Sequence, residues 1–82
     1  MKTDQTFTLT ISEVSGPLFQ GEAHSATFPG AAGELTILAK HEPLIALLKK
    51  GTITVRESEG VKEFNVEKGL LEVSQNRVTV LV

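Results

Sequence analysis

Cysteine is missing from this sequence, and so are tryptophan and tyrosine. Without cysteine, no disulfide or thiolate metal site can reinforce the fold, a composition compatible with a reducing compartment. The aromatic residues are Phe7, Phe19, Phe28 and Phe64, too few to build a stacking platform for nucleic-acid bases. Clustered positive charge is also lacking. Eight Lys and Arg residues are scattered among ten acids, for a net charge of -2, which argues against nucleic acid as a partner. The basic doublet Lys49-Lys50 stands just before Gly51 and reads as a solvated turn rather than a phosphate site. No apolar run approaches the ~20 residues of a membrane-spanning helix. Met1-Lys2-Thr3-Asp4-Gln5-Thr6 leads into no apolar stretch, so no secretory signal is visible, and it lacks the arginine-rich character of a transit peptide. A soluble cytosolic protein is the expectation.

Catalytic chemistry is equally sparse. The histidines are His24 and His41, and the sequence holds no His-Glu-x-x-His and no carboxylate cluster with metal spacing. His24 reads as a surface residue of an alternating strand. His41, in the turn Lys40-His41-Glu42-Pro43, reads as a hydrogen-bonded loop residue or an interface contact rather than a general base. Gly30-Ala31-Ala32-Gly33 carries two glycines, but neither Lys nor Ser/Thr follows as a phosphate loop requires, and Glu34 would repel phosphate. A lipoyl or biotinyl carrier domain has a similar size, yet Met1 is the sole methionine and neither Lys62 nor Lys68 stands in an acceptor motif. No nucleophile, base and orienting group can be assembled, and no cofactor is expected.

What the sequence does have is alternation with a period of two. Phe7, Leu9 and Ile11 alternate with Thr6, Thr8, Thr10 and Ser12; Ile53 and Val55 with Thr52, Thr54 and Arg56; Phe64 and Val66 with Glu63, Asn65 and Glu67. Val78, Val80 and Val82 alternate with Arg77 and Thr79, whereas Leu81 breaks the pattern and points to a second apolar surface. Turn residues punctuate these runs at Ser15-Gly16-Pro17, Pro29-Gly30, Gly33, Gly51, Gly60, Gly69 and Asn76. Gln75-Asn76 should close a hairpin between strands over Gly69–Ser74 and Arg77–Val82. Ser58-Glu59-Gly60 should do the same between Ile53–Glu57 and Lys62–Val66. Pro43–Lys50 is too short for a sustained helix and reads as a strand or an irregular crossing of the core. Many short strands at this spacing indicate a sandwich or barrel. A chain of 82 residues buries only roughly 60–65% of its unfolded surface. Leu44, Ile45, Leu47, Leu48, Leu70, Leu71 and Leu81 exceed what one face of so small a sandwich can bury, so part of this set should meet another protein.

Several segments resemble one known family. Gly16-Pro17-Leu18-Phe19-Gln20-Gly21-Glu22-Ala23, after a strand over Phe7–Val14, looks like the Leu-Phe-x-Gly-Glu step of the epsilon subunits of F-type ATP synthases. Pro29-Gly30-Ala31-Ala32-Gly33-Glu34-Leu35-Thr36-Ile37-Leu38 resembles their Pro-Gly-x-x-Gly-Glu-Leu-Gly-Ile-Leu loop. His41-Glu42-Pro43-Leu44 and Leu48-Lys49-Lys50-Gly51 are similar to His-x-Pro-Leu and Leu-Lys-x-Gly. Gly69 to Leu81 is close to Gly-Phe-Leu-Glu-Val-x-x-Asn-x-Val-Thr-Val-Leu. Together these blocks cover nearly the whole chain. Departures are Thr36 in place of glycine, Ala39-Lys40 in place of Pro-Gly, and Lys68 in place of the first of two glycines.

The resemblance implies an all-β fold, a flattened antiparallel β-sandwich of about ten short strands, as a single domain over residues 1–82. The family continues into a C-terminal helical hairpin that this sequence lacks, so the hairpin's nucleotide binding and inhibition of ATP hydrolysis are not expected. The implied function is that of a non-catalytic central-stalk subunit linking the gamma subunit to the membrane rotor ring in proton-coupled ATP synthesis. Its place would be peripheral, at the cytoplasmic face of a bacterial inner membrane and without direct insertion. Carried over by position, Gly30, Ala31, Ala32, Gly33 and Glu34 would contact the rotor ring, and Glu13, His41, Ile45 and Ala46 would contact gamma. The alternatives left by the residues themselves are an unrelated small β-sandwich adaptor and a small-molecule binding module.

Overall fold

The computed structural model describes residues 5–82. The alternating runs become nine strands among these residues: β1 (Phe7–Glu13), β2 (Gly16–Ala23), β3 (Ser25–Gly30), β4 (Gly33–Leu38), β5 (Leu44–Leu48), β6 (Gly51–Glu57), β7 (Gly60–Val66), β8 (Gly69–Ser74) and β9 (Arg77–Leu81). The expected all-β sandwich is therefore present, with nine strands rather than about ten. The segment between β4 and β5 forms no ladder. Lys40 takes a φ of +63° there and donates its backbone N–H to the Asn76 side chain at 2.7 Å. Pro43–Lys50 contributes one strand. His24, expected within a strand, instead forms a half-buried bend between β2 and β3. Its backbone N–H donates to the Arg56 carbonyl at 2.8 Å as the chain leaves one layer for the other.

Hydrogen bonding follows the order β2-β1-β9-β8-β5-β3-β6-β7, with β4 on the free side of β3. Every pairing is antiparallel except that of β1 with β9, which is parallel and joins Thr8–Ser12 to Arg77–Leu81. At the β5–β3 step the ladder narrows to the single register pair Gly30↔Leu48. There the sheet bends into two layers, β2-β1-β9-β8-β5 and β4-β3-β6-β7. The edge strands β2 and β7 meet across the opening through the rings of Phe19 and Phe64, whose centroids lie 5.7 Å apart, with Lys62 Nζ over Phe19. Such tilted pairs add to the burial of the rings themselves.

The core is the inward half of each alternation. Phe7, Leu9 and Ile11 of β1, Phe28 of β3, Ile53 and Val55 of β6, Leu71 and Val73 of β8, and Val78 and Val80 of β9 are buried. No polar or charged side chain is buried among the described residues. The hydrophobic effect at roughly 25 cal/mol per Å² therefore carries the interior without the desolvation cost of buried polar groups.

The β8–β9 hairpin turns through Gln75 (φ +53°) and Asn76 (φ +61°), the positive pair that a two-residue turn matched to strand twist needs. Asn76 also ties distant segments together: its Nδ2 donates to the Thr6 carbonyl at 2.8 Å, while its Oδ1 accepts from Lys40. Asn76→Ala removes both bonds and puts a Cβ residue with no local compensation at positive φ, and should lower unfolding free energy by about 1–3 kcal/mol. Asn76→Gly keeps the backbone freedom and should cost less; urea unfolding of both variants checks the order. At the same end of the layer, Glu22 accepts from the Thr6 and Thr8 hydroxyls, each at 2.8 Å. These bonds hold its carboxyl below the ordinary value of 4.5. Their contribution is present above that value and is lost as pH falls through the lower folded-state value. The Tm advantage of the wild type over Glu22→Gln should accordingly shrink on acidification through this range, as thermal scans at stepped pH would show.

Candidate partner-binding face

Three hairpins share one solution to reversal: a two-residue turn followed by a glycine at positive φ, at Gly16, Gly33 and Gly60. In the β3–β4 hairpin the turn is Ala31-Ala32, and Gly30 pairs with Gly33. A Cβ on Gly30 would collide with the Gly33 carbonyl oxygen and the Leu35 side chain, so the two strands can close this tightly only with glycine there. Gly30 is buried, while Ala31, Ala32, Gly33 and Glu34 are exposed.

The tip does not stand alone. Ala31 donates its N–H to the Leu47 carbonyl at 2.8 Å, and Lys49 donates to the Pro29 carbonyl at 2.9 Å. These bonds seat β5 beside the turn and form an apolar groove of about 460 Å³ between Ala31, Ala32 and Leu35 on one side and Leu44, Ile45 and Leu47 on the other. Three of the residues assigned by resemblance to the ring, Gly30, Ala31 and Ala32, and two of those assigned to gamma, Ile45 and Ala46, thus border one groove. Ile45 is 69% exposed, whereas Ala46 is half-buried against the core.

Glu13 and His41 do not join that cluster. Glu13 ends β1, pairs with Gly16 and accepts from the Ser15 hydroxyl at 2.8 Å. His41 follows Lys40, which is bonded to the Asn76 turn, and its Nδ1 lies 2.7 Å from the Glu42 carbonyl oxygen. The parallel register of β1 and β9 places Asn76 next to the level of Phe7. Glu13 and His41 therefore lie near opposite ends of the layer, roughly 20 Å apart along the strands.

The structure also sorts the surplus apolar residues. Leu48 and Leu71 are buried and Leu44 is half-buried. Leu47, Leu70 and Leu81 face outward, at 65%, 38% and 53% exposure. Register pairs Leu47 with Leu70 and Leu70 with Leu81, so the three form a straight row across β5, β8 and β9. The break of alternation at Leu81 signalled this outer surface; its alignment with Leu47 and Leu70 depends on strand order, which alternation does not encode. Glu34, also exposed, projects from the hairpin that borders the groove. Nothing in this arrangement supplies a reacting group; it offers apolar area with charges at its margins.

Gly30→Val should destabilise the fold by about 1–3 kcal/mol, because the new side chain forces the hairpin strands apart. Ala31→Asp at the exposed turn should stay within about 0.5 kcal/mol of the parent. Denaturant titration of the two variants separates the part of the tip that builds the fold from the part that only faces outward.

Residues 6–82 match the model of the family described as ATP synthase, Delta/Epsilon chain, beta-sandwich domain. The chain is 42% identical over 78 residues to the ATP synthase epsilon chain of Nitratiruptor sp., covering 94% of this chain and 60% of that one. It is 46% identical over 65 residues to the corresponding chain of Polaromonas naphthalenivorans, covering 78% of this chain and 47% of that one. It thus spans about half to three fifths of these relatives. Among solved structures it resembles a chain of the Euglena gracilis mitochondrial ATP synthase OSCP/F1/c-ring assembly, with a TM-score of 0.89 and 20% identity over 100% of this chain and 53% of that one. A chain of the Tetrahymena thermophila mitochondrial ATP synthase central stalk and c-ring has a TM-score of 0.81 at 18% identity, over 99% of this chain and 66% of that one. At those identities the likeness concerns the fold. The family match over residues 6–82 and the identities to the epsilon chains carry the assignment: this chain belongs to the β-sandwich domain family of ATP synthase delta/epsilon chains.

Proposed function

We propose that this domain is a non-catalytic rotor-stalk element of an F-type ATP synthase, standing between the gamma subunit and the membrane rotor ring during proton-coupled ATP synthesis. The observation that carries the reading is the exposed apolar groove between the β3–β4 tip and β5. It brings Ala31 and Ala32 against Ile45 and Leu47, so residues assigned by resemblance to two different partners form one surface. Glu34 on the same hairpin can pair with a basic loop of the ring, where an exposed ion pair adds about 0–1 kcal/mol but fixes register. Ile45 supplies apolar area to gamma at roughly 25 cal/mol per Å². In this role the sandwich transmits torque by being held on two sides and binds no nucleotide itself. It would lie peripherally at the cytoplasmic face of the membrane; no helix among the described residues is long and apolar enough to cross one.

A small-molecule module would require an apolar pocket with convergent polar groups. Here Phe7, Phe28, Leu9, Ile11, Ile53 and Leu71 lie fully buried between the layers, and no polar side chain is buried among the described residues to orient a ligand.

Calorimetric titration of this chain into the purified gamma subunit from the same source should give saturable binding. Ile45→Asp should raise Kd at least about tenfold, or ~1.4 kcal/mol. Ile45 is the residue to change because its side chain is exposed, whereas a charge at half-buried Ala46 would disturb the core. A folded chain that gamma does not bind would overturn the reading and leave an adaptor with another partner. In membrane vesicles, deletion of the domain should abolish proton-coupled ATP synthesis, and undiminished coupling would count against the stalk role.

A further inference from the structure

The leucine row carries a second message in the charges beside it. Along β8 and the residue before it, Lys68, Leu70 and Glu72 are all exposed and run positive, apolar, negative at alternate positions. Lys68 lines the groove that holds Leu47, Leu70 and Leu81, and Glu72 lines the adjoining one with Ile45. Beyond them the face turns polar, because Glu72 pairs with Thr79 and Thr79 with Thr10.

We propose that in the free chain this face is covered by a second copy of the same chain, packed sheet on sheet about a two-fold axis that runs along the Leu47–Leu70–Leu81 row. A two-fold in that direction reverses the strands and leaves the row on itself. Each leucine then meets its own mate, and Lys68 stands opposite Glu72 of the second copy, twice over. The other in-plane two-fold, along the strands, would set Lys68 against Lys68 and Glu72 against Glu72, so the order of charges selects the first arrangement. A standard interface takes roughly 800 Å² per partner, about one seventh of this chain's 5305 Å². Ile45, the leucine row and the stem of Lys68 occupy the layer's outer face at that end and supply the apolar centre such a contact needs. The inference does not depend on the stalk reading. Both occupants would use Ile45, so the pair and a gamma complex exclude each other.

Sedimentation velocity on the 82-residue chain tests it. A reversible dimer with a Kd on the order of 10–100 μM is expected, followed tenfold to either side. Leu70→Glu should abolish it with far-UV circular dichroism unchanged. Lys68→Glu should weaken it about five- to tenfold, and Lys68→Glu combined with Glu72→Lys should restore it. A monomer throughout the range overturns the proposal. So does a dimer indifferent to both Leu70→Glu and Lys68→Glu, or a double reversal that restores nothing.

Discussion

The arrangement depends on the narrow junction where β3 meets β5 at Gly30 and Leu48. A single hydrogen-bonded sheet cannot bury an apolar face against itself unless it bends, and this is where it bends. At the same residue β3 also closes tightly on β4, because a side chain on Gly30 would meet the Gly33 carbonyl oxygen and Leu35. Leu48, buried on the other side of the junction, anchors the same turn from within. The Gly30–Leu48 pair and the flanking bonds from Ala31 to Leu47 and from Lys49 to Pro29 set β5 beside the β3–β4 tip. The candidate binding groove is a direct product of that bend.

Local elements were legible because local rules decide them. Two-residue turns at Gln75-Asn76 and Ser58-Glu59 follow from the placement of Asn, Gly and alternating apolar residues, and the strands around them differ from expectation by one or two residues at their ends. Gly60, with its positive φ, lets β7 begin before Lys62. Strand Leu44–Leu48 was harder, since its residues are apolar on both faces; the structure shows that one face is core and the other is surface. What alternation could not reveal is anything fixed by pairs distant in sequence. The bend at His24, the absence of a ladder around Lys40, and the row made by Leu47, Leu70 and Leu81 all depend on which strand lies next to which.

The same reasoning explains how the resemblance-based site residues divide. Gly30, Ala31 and Ala32 come together with Ile45-Ala46 because Ala31 and Lys49 hydrogen-bond across the bend. Glu13 and His41 lie near opposite ends of the β2-β1-β9-β8-β5 layer because β1 runs parallel to β9 and His41 follows Lys40, which is tied to the Asn76 turn. A partner touching both would have to lie along the length of the layer, while a partner in the groove touches only one end.

The parallel pairing of β1 with β9 also bears on how the molecule is made. Leu9 and Ile11 acquire their neighbours Val78 and Val80 only when the last strand is available, about seventy residues after the first. Contacts of such separation are slow to form because a long loop must close first. During synthesis, the β3–β4 and β6–β7 hairpins can form as they leave the ribosome, but β1 waits with its apolar face uncovered. The core can close only once residue 81 is outside the exit tunnel, so the domain folds as a whole rather than piece by piece from its beginning.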